Sequence, residues 1–157
     1  MISNWILQNT NKKTHLLYKA KRDRDDASVF HSKSDNMGPL LIIVQTITGN
    51  RFGGYTSKSW TKPSPSNWPG DELAFIFSLD LKRKFGIKIP SQAVGHYKEV
   101  GPVFGYGHCF DISSGCLNNS SSYHCKSGSY EGTNEMKLTK EKNFTVSDYE
   151  VFQIKYQ

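Results

Sequence analysis

Apolar and polar positions alternate with a period near two along most of this chain, and a single segment carries the punctuation of a helix. Residues 40–48 are rich in branched side chains and end at Thr48-Gly49-Asn50, a hairpin turn signal. A second strand-like stretch, NRFGGYTSKSW, follows over residues 50–60. Residues 73–81 alternate, placing Leu73, Phe75, Phe77, Leu79 and Leu81 on one face. Residues 93–97 and 103–112 read as a strand pair turning at 99–102, and 15–19 and 87–90 as short extended pieces. In residues 148–156, Glu150, Phe152, Ile154 and Tyr156 share one face, with Tyr149, Val151, Gln153 and Lys155 on the other. Asp25-Asp26-Ala27-Ser28 supplies an N-cap and an acidic first turn for one short helix, carrying Val29, Phe30 and Lys33 and stopping near Gly38-Pro39. Residues 62–70 hold three of the six prolines and form a loop. Residues 113–134, mostly Ser, Asn and Gly, form a long ordered loop with at most one short strand.

Two adjacent glycines, Gly53 and Gly54, interrupt the second strand between Phe52 and Tyr55. Glycine inside a strand marks a bulge or the close approach of another segment. We therefore read the pair as a backbone device, with Phe52 or Tyr55 filling the core. A related piece, Phe104-Gly105-Tyr106-Gly107-His108, follows about fifty residues later.

Composition narrows the class. At 157 residues the chain is one domain able to bury a core, and a mean hydropathy of −0.56 with 13% aromatics fits a soluble globular protein. The longest apolar run, residues 40–44, is too short to cross a bilayer. Its N-terminal apolar patch precedes the lysines, the reverse of a secretory signal. Three cysteines, an odd number, suit reduced thiols in the cytoplasm, so Asn119-Ser120-Ser121 and Asn143-Phe144-Thr145 are loop polarity rather than glycosylation sites. The net charge of +6 permits acidic partners. Its one uncompensated run, Lys82-Arg83-Lys84, is too short for a nucleic-acid patch and is a candidate anion contact.

Candidate chemistry is sparse. His31 with Ser57 or Ser59 and an aspartate assembles a triad on paper only; no GxSxG elbow is present, and the helical position makes His31 a surface residue. Asp71 and Glu72 are adjacent and diverge in a strand. GNRFGG lacks the Gly-Lys-Ser/Thr ending of a phosphate-cradling loop. His108-Cys109, Cys116 and His124-Cys125 put five possible ligands within eighteen positions, but neighbours on a strand diverge, so no metal or cofactor is expected. Glu150, on an apolar face, requires a partner. A structural carboxylate tying the terminal strand to an Arg, a Lys or a backbone amide is the favoured reading over a catalytic acid.

Taken in order, several segments resemble the TLDc domain family. They are Leu16-Leu17-Tyr18-Lys19-Ala20 with Arg22-Asp23 and Phe30-His31, then Asp35-Asn36-Met37-Gly38-Pro39 and Phe52-Gly53-Gly54-Tyr55-Thr56-Ser57 with Trp60. Asp71, Ala74-Phe75-Ile76-Phe77-Ser78-Leu79, Gly101-Pro102 and Phe104-Gly105 with Gly107-His108 continue the series. Ser129-Tyr130-Glu131 and Glu150-Val151-Phe152 close it. The resemblance implies a mainly β fold, two antiparallel sheets packed as a sandwich with a few short helices. It sets residues 15–157 as the domain behind a polar extension, 1–14.

It also implies a module known through its partners, linked to oxidative-stress resistance and to the vacuolar proton pump. It carries no catalytic constellation to these positions. The chain departs from the family pattern at Arg24, Ser34, Tyr106 and Cys109, and losing the cysteine common at position 34 weakens a thiol mechanism. The expected function is a noncatalytic protein-interaction module on a larger assembly, the proton pump or a ciliary or cytoskeletal complex. The alternatives are an oxidative-defence enzyme using Glu150 or a cysteine, and a peripheral binder of anionic lipid or phosphoinositide using Lys82, Arg83 and Lys84. Nucleic acid is not an expected partner.

Overall fold

The computed structural model describes residues 1–6, 11–63, 65–132 and 137–156. In chain order the elements are α1 (Ile2–Ile6), β1 (Lys12–Lys19), α2 (Ala20–Asp23), α3 (Ala27–Ser34), β2 (Leu40–Thr46), β3 (Arg51–Thr56), β4 (Phe75–Ser78) and β5 (Arg83–Gly86). A 3₁₀ turn at Pro90–Gln92 leads to β6 (Val94–Gly95), β7 (Val103–Phe104), β8 (Phe110–Asp111), β9 (Ser122–Tyr123), β10 (Asn143–Phe144) and the long β11 (Val146–Tyr156). They form two antiparallel sheets, ordered β1-β11-β2-β3-β4-β5 and β10-β9-β8-β7-β6. The expected β-sandwich with few helices is what the chain adopts.

Alternation of apolar side chains explains the layers. Leu40, Ile42 and Val44 of β2, Phe52 of β3, Ile76 of β4, and Tyr149 and Val151 of β11 join Phe104, Phe110 and Phe144 of the smaller sheet in the main core. The opposite face of the larger sheet is also apolar. Leu41, Tyr55, Phe75, Phe77 and Ile154 form a second cluster there, with Ile6 of α1.

The β2–β3 hairpin turns where the Thr-Gly-Asn signal placed it, with Gly49 at φ 90°. Other expectations need correction. The strand read over residues 73–81 is only four residues long, and Leu73 and Leu81 are 67% and 49% exposed. The Asp71 carboxylate caps a turn at Leu73 N, and Ser78 Oγ caps another at Leu81 N, so the chain leaves the sheet at both ends. Residues 103–112 are a hairpin instead of one strand. Gly105, Gly107 and His108 all take positive φ (80°, 79° and 60°) and fold β7 back onto β8.

The helix expected after Asp26 is α3, but the Asp26 side chain makes no capping bond and pairs with Arg24 at 2.7 Å. Asp25 instead reaches across to accept from Leu117 N at 2.8 Å. Within the segment 113–134, one short strand, β9, forms; residues 133 and 134 lie outside the described residues.

Candidate functional site

The double glycine sits at the meeting point of both apolar layers. In β3, Gly53 pairs with Ile43 and Phe77, and Gly54 with Ile42 and Ile76. A Cβ on Gly54 would lie 2.6 Å from two ring carbons of Phe104, which crosses from the smaller sheet. A Cβ on Gly53 would lie 1.9 Å from Ile42 O and 2.7 Å from Phe77 Cζ on the outer face. Each glycine is thus the bed for one aromatic ring. The neighbours flank them on alternate faces: Phe52 packs edge-on to Phe110 (5.2 Å) and Phe144 (5.6 Å), and Tyr55 stacks on Phe75 (5.2 Å). Phe104 stacks on Phe110 at 4.9 Å and leans on Trp60 at 5.5 Å. Both Phe52 and Tyr55 are therefore buried, in different layers.

The second glycine piece builds the β7–β8 turn. Any Cβ on Gly105 would meet Cys109 Sγ at 2.5 Å. His108 N donates to Gly105 O (2.8 Å), and its Nδ1 lies 2.5 Å from Asp111 Oδ2. This hydrogen bond locks the turn. His124 is spent similarly, its Nδ1 on Cys109 O at 2.5 Å and its Nε2 facing Leu138 N at 3.4 Å.

Burial pushes the Cys109 thiol up to about 11 and the Cys116 thiol up to about 12, so neither offers a thiolate near neutral pH. Cys125, partly exposed, donates to Gly107 O at 2.8 Å. Among the described residues, no three His, Cys, Asp or Glu side chains gather as metal ligands.

Two buried ionisable groups were not legible in the sequence. His31, placed on the surface by its helical position, is 1% exposed, because the loop after β6 closes over it. Its Nδ1 faces Asp35 Oδ1 (2.9 Å), and its Nε2 faces two carbonyls, Tyr97 O (2.8 Å) and Val100 O (3.0 Å). All three partners are acceptors, so both ring nitrogens donate and the ring is an imidazolium. Burial pulls its pKa down, but Asp35 and the two carbonyls outweigh that and hold it raised.

Asp71, 2% exposed, accepts from Thr56 Oγ1 (2.7 Å), Ser57 N (2.7 Å), Ser57 Oγ (2.6 Å) and Leu73 N (3.0 Å). It ties the end of β3 to the turn before β4. Beside it opens a surface cavity of about 440 Å³, lined by Lys58, Trp68, Gly70, Glu72 and Leu73 among others. Asp71 is also part of this lining, but each of its oxygens already accepts two hydrogen bonds.

Glu150 is half-buried on the outer face with Phe152, and Lys19 Nζ donates to its Oε1 at 2.5 Å. Lys19 also lies 3.3 Å from Asp148, and these partners, Glu150 first, raise its pKa. Since Lys19 and Glu150 are cross-strand partners, the pair joins β1 to β11. The candidate anion contact is divided. Lys84 lies over Phe75 on the outer face and Arg83 over Phe85 on the core side, so the two side chains leave β5 in opposite directions. Lys82 precedes them in a turn at φ 52°.

Compared with known proteins, the family model described as the TLDc domain matches residues 1–155. The match takes in α1. No curated protein matches the chain.

Proposed function

This chain belongs to the TLDc domain family, and we propose that it is a noncatalytic protein-interaction module that docks on a larger assembly. The observation that carries this reading is how its buried and half-buried ionisable groups are used. Asp71, His31, His108, His124 and Glu150 each hold one piece of the fold to another, and they do not converge on a shared cavity. A site for general acid–base or nucleophilic chemistry needs such convergence.

The assembly we favour is the vacuolar proton pump, with a ciliary or cytoskeletal complex as the second host, in the cytoplasm, on an organelle surface or in a cilium. Any link to oxidative-stress resistance then runs through the partner, since two of the three thiols are buried and protonated. An enzyme using Glu150 has less support because Lys19 already neutralises that carboxylate. Binding of anionic lipid has less support because Arg83 and Lys84 diverge. No helix among the described residues is long and apolar enough to cross a membrane.

Affinity purification of the tagged native protein, followed by mass spectrometry and size-exclusion chromatography, tests the reading. A reproducible high-mass assembly with stoichiometric partners is expected. Recovery of the chain alone from every extract overturns it.

A further inference from the structure

The outer face of the larger sheet carries an apolar cluster. Antiparallel sheets of sandwiches turn polar side chains outward. Here Leu41 and Ile43 of β2, Tyr55 of β3, Phe77 of β4 and Phe152 of β11 make that face apolar, and Ile43 and Phe152 remain partly exposed. What covers part of it is α1. Ile2, Trp5 and Ile6, at spacing i, i+3, i+4, pack against it, and the Trp5 ring lies 5.8 Å from Phe77. Gly53 lets the Phe77 ring lie low over β3, so Phe77 forms the floor under Trp5.

The helix has no independent reason to exist. It has five residues, and isolated helices shorter than about 12–15 residues are marginal in water. The sheet face imposes its helicity, which makes α1 a specimen of what the face selects.

Leu41, Tyr55, Phe75, Phe77 and Ile154 are buried on this face, and Ile43, Leu79 and Phe152 stay partly exposed beside them. Six strands spaced about 4.8 Å apart span about 24 Å from β1 to β5. At 1.5 Å per residue the five residues of α1 are about 7.5 Å long, whereas a helix running across all six strands needs about 16 residues. A cation stands at each edge. Lys12 Nζ lies over the Tyr156 ring and donates to Ile6 O, at the C-terminal end of α1; Lys84 Nζ lies over Phe75. Lys19, also on β1, is already paired with Glu150 and Asp148, whereas no ion pair with a carboxylate engages Lys12 or Lys84 among the described residues.

We propose that this face is a helix-docking site, held by α1 in the free protein. Its partner is an amphipathic helix of another protein, with apolar residues at i, i+3 and i+4 and acidic residues towards its ends. This rests on the interaction-module reading and names the partner's chemistry.

The probe is a fluorescein-labelled peptide of residues 1–11, titrated by anisotropy against the full chain and its Ile2→Ala/Trp5→Ala variant. A tethered segment competes at an effective concentration of about millimolar, so the peptide is expected to bind the variant more than about tenfold tighter than the native chain. Adding Ile43→Glu to the variant abolishes binding, and Leu79→Glu serves in its place if near-UV circular dichroism shows that Ile43→Glu has lost the fold. A second probe, with two glutamates added at each end, binds more tightly at low salt, and Lys12→Gln/Lys84→Gln removes that advantage. Equal binding to native and variant chains, or binding that survives both glutamate substitutions, overturns the docking site; no gain from the added glutamates overturns the acidic partner.

Affinity purification with the full-length Ile43→Glu or Leu79→Glu chain separates this proposal from the reading beneath it. Partners kept by the substituted chain refute the face and leave the module reading standing. Partners absent from the native chain as well, while the peptide binds as expected, refute the module reading alone.

Discussion

Replacing Gly54 with alanine puts the sandwich to its most direct test. The added Cβ would stand 2.6 Å from Phe104 Cε1 and Cζ and 2.9 Å from Cδ1, distances that real carbon contacts do not reach. The ring has nowhere to retreat, because Phe110 stacks on it at 4.9 Å and Trp60 sits at 5.5 Å. Overpacking of this kind costs about 1–3 kcal/mol, and the rigid aromatic neighbours place it near the upper end. Opposing that, alanine in place of a strand glycine recovers about 0.5–1 kcal/mol of backbone entropy.

The net loss is about 2 kcal/mol. At about 2–4 °C per kcal/mol for a domain of this size, the melting temperature falls by about 4–8 °C. Scanning calorimetry on Gly54→Ala, Phe104→Leu and the double substitution measures both the loss and its origin. If the clash is the cause, the two changes couple favourably by about 1 kcal/mol or more, since the smaller side chain vacates the space. A Gly54→Ala protein that melts at or above the native temperature, or a cycle with no coupling, refutes the reasoning. Gly54→Val, adding two further methyl groups into the same ring, is expected to leave no folded protein.

Three further outcomes are expected. The His31 pKa is raised in the folded state, so its stabilisation is complete below the ordinary histidine value of about 6.5 and is lost as pH rises through the folded value. Burial pushes His96 down to about 4, so its share is present above about 6.5 and lost as pH falls towards 4. Melting curves from pH 4 to 9 therefore show a maximum near neutrality, and His31→Gln removes the alkaline decline while leaving the acid one; an unchanged alkaline limb counts against the imidazolium. Asp71→Asn turns an acceptor of four hydrogen bonds into a group that faces donors with a donor, and costs about 3 kcal/mol in urea unfolding; a loss under about 1 kcal/mol contradicts the clamp. A thiol reagent such as dithionitrobenzoate should label Cys125 alone in the native protein and all three cysteines after unfolding. Rapid native labelling of Cys109 or Cys116 would mean that their burial is not maintained in solution.

Much of the sandwich could be read from local pattern, because its cause is local. Branched residues before Thr48-Gly49-Asn50 make a hairpin wherever they occur, and Gly53-Gly54 announced that something approaches β3. What approaches could not be read, since Phe104 and Phe77 arrive from other strands. Alternation also misled over residues 73–81: Phe75 and Phe77 obey it, but Ala74 and Ile76 are buried on the other side, so β4 ends by turn chemistry and not by a change of pattern.

The buried ionisable groups were hidden for the same reason. His31 owes its burial to carbonyls 66 and 69 residues away. Asp71 finds its partners 14 and 15 residues back, across a proline-rich loop. Glu150 was legible as needing a partner because strand parity placed it among Phe152 and Ile154, and Lys19, 131 residues away, completes the pair.

The position of β11 has a bearing on how the chain comes into being. It follows every other element in the sequence, yet it lies inside the larger sheet, between the first strand and the second. A ribosome therefore releases β1 and β2 with no hydrogen-bonding partner between them, and both wait while the whole of residues 47–145 is made. Synthesis order and assembly order run against each other, and the closing step is a strand insertion instead of an addition at an edge. Contacts of such sequence separation are slow to form and leave strand edges open to the wrong neighbour. For this protein the vulnerable interval is the time spent on the ribosome, and a chaperone that shields β1 and β2 would act there.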